Sequence, residues 1–341
     1  PNSVSLEIEI SDKVVAAKRL ARNFLGPGTE MRDLTLGGGS RDTGSKNGGH
    51  MGRLFLPPGR GPHPVVIVLN GTGGGFDLDK AAALSRHGFA TLALAYFGIP
   101  PLPTWLHRIP LDYFEAALAW LAAQPEVDSR RVGVLGVSRG AELGLLLGTK
   151  FPQIRAIVAY APSSVAWAAG GRDKATGEII PSWTWRGEAV PFAPLPLREF
   201  MLRSALPVAV ARRPVVFRNL FRAGLRNREA IARATIPVER IQGPVMLVSG
   251  GDDHLWPAAE MCTAIMARLT DHHFPHVVEY FNYPRAGHML RYPYLPTTSR
   301  ASRNRHLRNA RYSFGGNPAA DAEANADSWR RAIAFLRSSL G

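Results

Sequence analysis

The sequence predicts an α/β fold: a mostly parallel, doubly wound sheet broken late in the chain by a cap insertion. Three observations carry this reading. The run Val65-Val66-Ile67-Val68-Leu69 is apolar without interruption, and Ala90 to Ala95 is apolar but for Thr91, as strands covered on both faces read. They alternate with segments of helical spacing, of which Leu111, Phe114, Leu118 and Leu121 are the clearest. Finally, Gly136-Val137-Ser138-Arg139-Gly140 stands where one such strand gives way to a helix.

Taken in order, residues 1–50 are weakly patterned and read as an N-terminal extension holding the first strands. They end in a Gly-rich stretch, Gly37 to Gly49, expected to be a hairpin loop or a mobile insertion. The regular α/β pattern of a second, larger domain occupies 51–341. Gly52 to Leu56 is a strand stopped by Pro57-Pro58; Val65 to Leu69 follows, then a helix over Asp79 to His87 and a strand over Ala90 to Ala95. Leu111 to Ala123 is helical, Arg131 to Leu135 a strand, Ala141 to Lys150 a helix and Ile154 to Ala159 a strand. The alternation stops over about 163–238, where prolines and Trp167, Trp183 and Trp185 gather; a stretch this long between strands reads as a cap. Inside it Arg218, Arg222 and Arg226 fall four apart beside Phe217, Leu220, Phe221 and Leu225, an amphipathic helix with a solvated or phosphate-contacting basic face. The sheet pattern resumes at Val245 to Val248, then a helix over Ala258 to Leu269, a strand over Val277 to Phe281 and a last helix near Ser328 to Leu340.

Composition narrows the class. Hydrophobic residues make up 45% of the 341, enough for a core and incompatible with a wholly disordered chain. No apolar run reaches the roughly 18 residues of a membrane span. The N-terminus lacks a basic start followed by an apolar stretch, so no signal peptide is expected, although the chain does not begin with Met and a removed leader stays open. The single cysteine, Cys262, excludes an internal disulfide framework and fits a reducing cytoplasm; inside a helical pattern it reads as core. Net charge is +14, with only six lysines among 41 basic residues. The arginines are dispersed and no nucleic-acid-binding motif accompanies them, so a nucleic-acid partner is not expected; an anionic small molecule would benefit from the field.

A serine between glycines at a strand-to-helix turn has its hydroxyl held above the sheet, with the helix N-terminus aimed at the reacting atom. The hydroxyl needs a base, and the base needs a carboxylate to fix its tautomer. The loop after the Val245 strand supplies Gly250-Gly251-Asp252-Asp253, and the loop after the Val277 strand supplies Gly287-His288. The expected set is therefore Ser138, Asp253 and His288. Asp253 is preferred to Asp252 because Gly250-Asp253-Pro257 has the frequent spacing; the competing role for Asp253 is an Asx-turn. The Arg139 N–H is expected to stabilise the oxyanion, together with Gly71 from Asn70-Gly71-Thr72-Gly73-Gly74-Gly75, Asn70 and Thr72 being the alternatives. That loop lacks the Lys-Ser/Thr of a phosphate-binding loop. Asp271-His272-His273 and His276 read as a surface connection, so no metal is expected, and the chemistry needs no cofactor. Glu142 reads as a solvated helix charge or a polar anchor beneath the site.

Longer segments carry a family resemblance: Arg53-Leu54-Phe55-Leu56-Pro57-Pro58, Asn70 to Gly75, Gly88 to Tyr96, Gly133 to Leu143, Ile236 to Arg240, Gly251 to Trp256, Gly287-His288 and Pro293-Tyr294-Leu295-Pro296. Over about 50–341 the chain resembles the C-terminal catalytic domain of the acyl-CoA thioesterases related to bile acid-CoA:amino acid N-acyltransferase, close to dienelactone hydrolases. The resemblance implies an α/β-hydrolase fold, the triad Ser138, Asp253 and His288, and an acyl thioester of CoA or of a carrier protein as substrate, with the cap shaping the acyl pocket and arginines on its rim meeting the CoA phosphates. Two departures stand out. Animal members carry an N-terminal β-sandwich that 50 irregular residues cannot supply, so the chain is expected to be a single-domain relative or a trimmed one. Arg139 stands where the family often has Lys. Conjugating members use Cys as nucleophile, so Ser138 implies hydrolysis. The competing expectations are a carboxylesterase or dienelactone-type hydrolase, an acyltransferase to an amine or alcohol, and a non-catalytic basic binding protein.

Overall fold

The computed structural model describes residues 2–10, 13–22, 24–35, 51–293, 295–304 and 310–341. The Gly37 to Gly49 stretch and Tyr294 lie outside the described residues. Eight strands form one sheet: β1 (Glu30–Leu34), β2 (Gly52–Leu56), β3 (His63–Leu69), β4 (Ala90–Leu94), β5 (Val127–Val137), β6 (Ile154–Tyr160), β7 (Val245–Gly250) and β8 (Val278–Tyr283). Their spatial order is β8-β7-β6-β5-β3-β4-β2-β1. Pairing is parallel from β4 through β3, β5, β6 and β7 to β8, and antiparallel at β4–β2 and β2–β1. The chain therefore reverses direction along the sheet beside β3 and β5, and a crevice opens there at the carboxyl ends of the strands.

The uninterrupted apolar runs have their cause in two buried faces. Val65, Ile67 and Leu69 of β3 point into one core with α2 (Asp112–Ala122), α3 (Arg139–Gly148) and α4 (Ala258–Asp271), while Val66 and Val68 point into the other. That second core is closed by α1 (Leu78–Ser85) and α5 (Pro318–Leu340). Helix α2 buries Phe114, Ala117 and Leu121 on one stripe; α3 is buried at every position, because it lies between the sheet and the residues that follow β6. Cys262 is fully buried on α4 within the first core.

Several differences from the sequence reading have clear causes. Among the described residues before β2, Asn2–Ile10 pairs antiparallel with Lys13–Arg22, and β1 joins the main sheet edge, a more regular arrangement than the weak patterning suggested. The signal was the alternation of Val4, Leu6, Ile8 and Ile10 with polar residues. At the other end α5 begins at Pro318, ten residues before the expected Ser328. Its first turns are alanine-rich with few large apolar side chains, but Asn317 caps Ala320 N at 2.9 Å and Pro318 opens the helix, a start signal present in the sequence. Between β6 and β7 the chain builds short strands and helices, among them Trp183–Trp185, which pairs in parallel with Ile109–Pro110, and the helix Arg218–Leu225. Asp271 ends α4, and His272 and His273 are exposed in the connection to β8; among the described residues no cluster of three His, Cys, Asp or Glu could hold a metal. No helix among the described residues is long and apolar enough to cross a membrane.

Helix α5 is tied to β8 through Asp327, which accepts from the Tyr283 hydroxyl at 2.7 Å and from Arg331 Nε at 2.6 Å. The Tyr283 bond, then Arg331 and Arg330, hold the Asp327 carboxyl down at about 2. A carboxyl lowered in the folded state stabilises it above the ordinary carboxyl range and ceases to do so as pH falls toward 2. Asp327→Asn is expected to cost about 1 kcal/mol at pH 7, after allowance for solvent screening, with the deficit closing between about pH 4 and 2. Urea titrations of both proteins across that range measure it; a deficit unchanged by pH contradicts the assignment.

Candidate active site

Ser138 sits between the end of β5 and the first residue of α3 with φ 57° and ψ −121°. A side-chain-bearing residue held there costs on the order of 1–3 kcal/mol, and it persists because the surroundings overdetermine it. Ser138 N donates to Tyr160 O at 2.8 Å, and Ser138 O accepts from Ala141 N and Glu142 N, which starts the helix. The flanking glycines have a steric reason: a Cβ at Gly136 would strike the Gly140 carbonyl, and one at Gly140 would strike the Asn70 carbonyl. The turn is thus wedged against the loop that follows β3.

Asp253 lies in the loop after β7, His288 in the loop after β8. His288 Nδ1 is 2.7 Å from Asp253 Oδ2, and both residues are buried. A carboxylate only accepts, so Nδ1 carries the proton and Nε2 is left to accept. Asp253 Oδ1 meanwhile takes Leu255 N at 2.8 Å and Trp256 N at 3.2 Å. The Asx-turn and the histidine partnership are therefore the work of two oxygens of one carboxylate. Asp252 turns elsewhere, to His254 Nε2 at 3.0 Å and Gly316 N at 2.8 Å. Ser138 and His288 line a common cleft of about 480 Å³ with Asn70, Gly71, Thr72 and Leu290.

Two parts of the site lay beyond the sequence reading. The first is a brace made of Ser313 to Gly316. Phe314 O accepts from His288 N at 2.8 Å, Gly315 forms a bridge with Asp253, and Gly316 N binds Asp252. Gly315 has φ 74°, and a Cβ there would strike the Asp252 carbonyl, so glycine is required. Asp321 adds to this brace, accepting from Gly287 N at 2.8 Å and pairing with Arg300. The Phe-Gly-Gly run was the available signal, though its partners were not.

The second is the side chain of Arg139, considered from sequence only for its backbone. It is buried and donates to Glu142 Oε2 at 2.7 Å, to Trp167 O at 3.0 Å and to Ser182 Oγ. Glu142, wholly buried, also accepts from Trp183 Nε1 at 2.7 Å and Trp167 N at 3.2 Å. Of its two expected roles, it takes the polar anchor. Burial pushes its carboxyl up to about 7, against the opposing pull of Arg139 and the two tryptophan donors. Burial likewise lowers the guanidinium of Arg139. The pair fastens the chain after β6 to the first turn of α3.

Gly71 needs correction as an oxyanion donor. Its N–H already donates to Asn70 Oδ1 at 2.8 Å, while Asn70 Nδ2 donates to Gly74 O at 2.7 Å. The short side-chain amide that shapes the loop consumes the donor that spacing alone suggested. The described lining of the cleft comes from 70–80, 137–138, 255, 288–295 and 302–314, with none from 163–238. Arg222 pairs with Glu260, with its Nε at 2.8 Å, and Arg218 stands 3.9 Å from Asp252.

The strand order, the strained serine at the end of β5 and the acid and histidine on successive loops make this an α/β-hydrolase fold. A dienelactone hydrolase-like promiscuous phosphotriesterase from metagenomic libraries superposes with a TM-score of 0.50 at 18% identity, covering 92% of this chain and 99% of that one. Residues 109–341 match the family described as BAAT / acyl-CoA thioester hydrolase C terminal, and the chain belongs to that family. The peroxisomal succinyl-coenzyme A thioesterase of Mus musculus is 30% identical over 346 residues, spanning 100% of this chain and 74% of its own. The acyl-coenzyme A amino acid N-acyltransferase 1 of Mus musculus is 30% identical over 325 residues, spanning 95% of this chain and 69% of its own.

Removing one member of a buried pair strands the other charge. Glu142→Ala is expected to destabilise the fold by about 3–5 kcal/mol, whereas the double change Arg139→Met with Glu142→Met recovers most of that loss. Chemical denaturation of the single and double variants measures both; a double variant no better than the single contradicts the pairing.

Proposed function

We propose that the chain is a serine hydrolase of acyl thioesters, with CoA as the acyl carrier. The observation that supports it best is the 2.7 Å contact of Asp253 and His288, beside a cleft shared with a serine at φ 57°, in a chain 30% identical along its whole length to a succinyl-coenzyme A thioesterase. In this reading His288 Nε2 takes the proton of Ser138 as Oγ attacks the thioester carbonyl. Asp253 holds the imidazole in its tautomer and stabilises the imidazolium. The oxyanion develops at the N-terminus of α3 and is received by Arg139 N–H; with Gly71 N–H engaged by Asn70, the second donor is assigned to Thr72 N–H. His288 then returns its proton to the departing thiolate and activates the water that releases the acyl group.

The segment 163–238 is proposed as a cap whose seat on α3 is the Arg139–Glu142 pair. Lys80 and Arg291, both in the cleft lining, are the cations proposed nearest an anionic substrate. A cytoplasmic location is proposed on the free thiol of Cys262 alone. The second reading, transfer of the acyl group to an amine, is favoured by the similarity to the mouse N-acyltransferase.

Wild-type protein is expected to be labelled by a fluorophosphonate and to release free CoA from acyl-CoA faster than it cleaves matching oxygen esters. Ser138→Ala should lose both the label and about 10³-fold or more of the rate. Faster oxygen-ester cleavage sinks the CoA assignment, and no labelling sinks the nucleophile. Asp253→Asn, which disturbs the histidine tautomer, is expected to lower kcat by about 10⁴-fold with the fold intact. Conversion of acyl-CoA to an amide when an amino acid is added would decide for transfer.

A further inference from the structure

Leu197–Phe200, Met201–Ala205 and Leu206–Val210 follow one another without a break and make one helical segment. Its inner side is accounted for: Phe200 and Ala205 are buried with Val215 and Leu220, and Leu197, Met201 and Val208 pack against them. Its outer side carries Leu202, Leu206 and Val210, exposed at 61%, 53% and 76%. Successive steps of four place all three in one row along the helix. Six large hydrophobic side chains are exposed among the described residues, and this row holds three of them, so the exposure is concentrated rather than scattered.

The charges around the row are nearly all of one sign. Arg198 continues it one step toward the N-terminus, Arg203 stands beside it, and Arg212 and Arg213 follow its end; all four are exposed. The one acidic residue of the stretch, Glu199, is paired with Arg203 at 2.9 Å. Alongside opens a groove of about 700 Å³ with Ile179, Leu195 and Leu197 in its walls and Arg172 and Arg198 among its lining residues. An apolar strip with cations at both ends matches the two layers of an anionic bilayer surface, acyl chains beneath and phosphates above. A second copy of the chain fits less well, because an isologous pairing would set the same arginines against one another.

We propose that the outer face of 197–213 docks on an anionic lipid bilayer, with Leu202, Leu206 and Val210 entering the interface and the arginines meeting lipid phosphates. This does not rest on the chemistry assigned to Ser138. The test is co-sedimentation of the full chain with vesicles of phosphatidylcholine alone and of phosphatidylcholine with phosphatidylglycerol, at low and high salt. Binding is expected to the phosphatidylglycerol vesicles, weakening with salt. The variant Leu202→Ser, Leu206→Ser, Val210→Ser, whose changes are all at exposed positions, should bind roughly tenfold or more weakly with an unchanged circular dichroism spectrum. The variant Arg198→Glu, Arg212→Glu, Arg213→Glu should lose the preference for anionic lipid. Three results overturn the proposal: no vesicle binding by the wild type, undiminished binding by the serine variant (attraction by net charge alone), or a dimer in sedimentation velocity that the serine variant abolishes.

Discussion

Everything at the centre of this molecule depends on how closely the turn after β5 can approach the loop after β3. Gly140 lets backbone lie on the Asn70 carbonyl there, and Gly136 lets the end of β5 lie on Gly140. The intervening residue sits at positive φ, and α3 starts beneath this contact with all of its positions buried. A helix buried on every side cannot keep a charge without a partner, which is why Arg139 and Glu142 face each other and recruit Trp167, Trp183 and Ser182. The polar network is therefore a consequence of a steric choice made in the backbone.

The network also divides the labour of the insertion. Trp167 and Trp183 bond to Glu142 in the first turn of α3, and the described lining of the cleft comes from the other loops. Residues on the outer surface of the insertion are consequently free of any duty to the core, and the apolar row at Leu202, Leu206 and Val210 lies among them.

The sheet was legible because strands covered on both faces have no polar alternation to confuse them, as β3 and β4 illustrate. Ser138, Asp253 and His288 were legible because each follows the carboxyl end of a strand, where the topology itself collects loops. What was hidden depended on contacts far apart in sequence. The side chain of Arg139 went unread because nothing local discloses that Trp167 and Ser182 close over it. Gly71 looked free because spacing does not reveal that the neighbouring Asn70 side chain bends back onto its amide. Helix α5 was shortened because alanine-rich turns bury backbone and small side chains without an apolar stripe, and the first strands were expected before residue 50 without their pairing, which the alternation of Val4, Leu6, Ile8 and Ile10 could have suggested.

The brace formed by Ser313 to Gly316 has a consequence for the order in which the protein is made. In chain order the serine, the acid and the histidine all precede the segment that bonds to both the acid and the histidine loops, and Asp321, which holds Gly287, comes later still. A chain made as far as His288 lacks the segment whose Phe314 carbonyl accepts from both loops. The geometry of the candidate site is complete only when 313–321 folds back against both loops, a segment that follows all three residues in the chain.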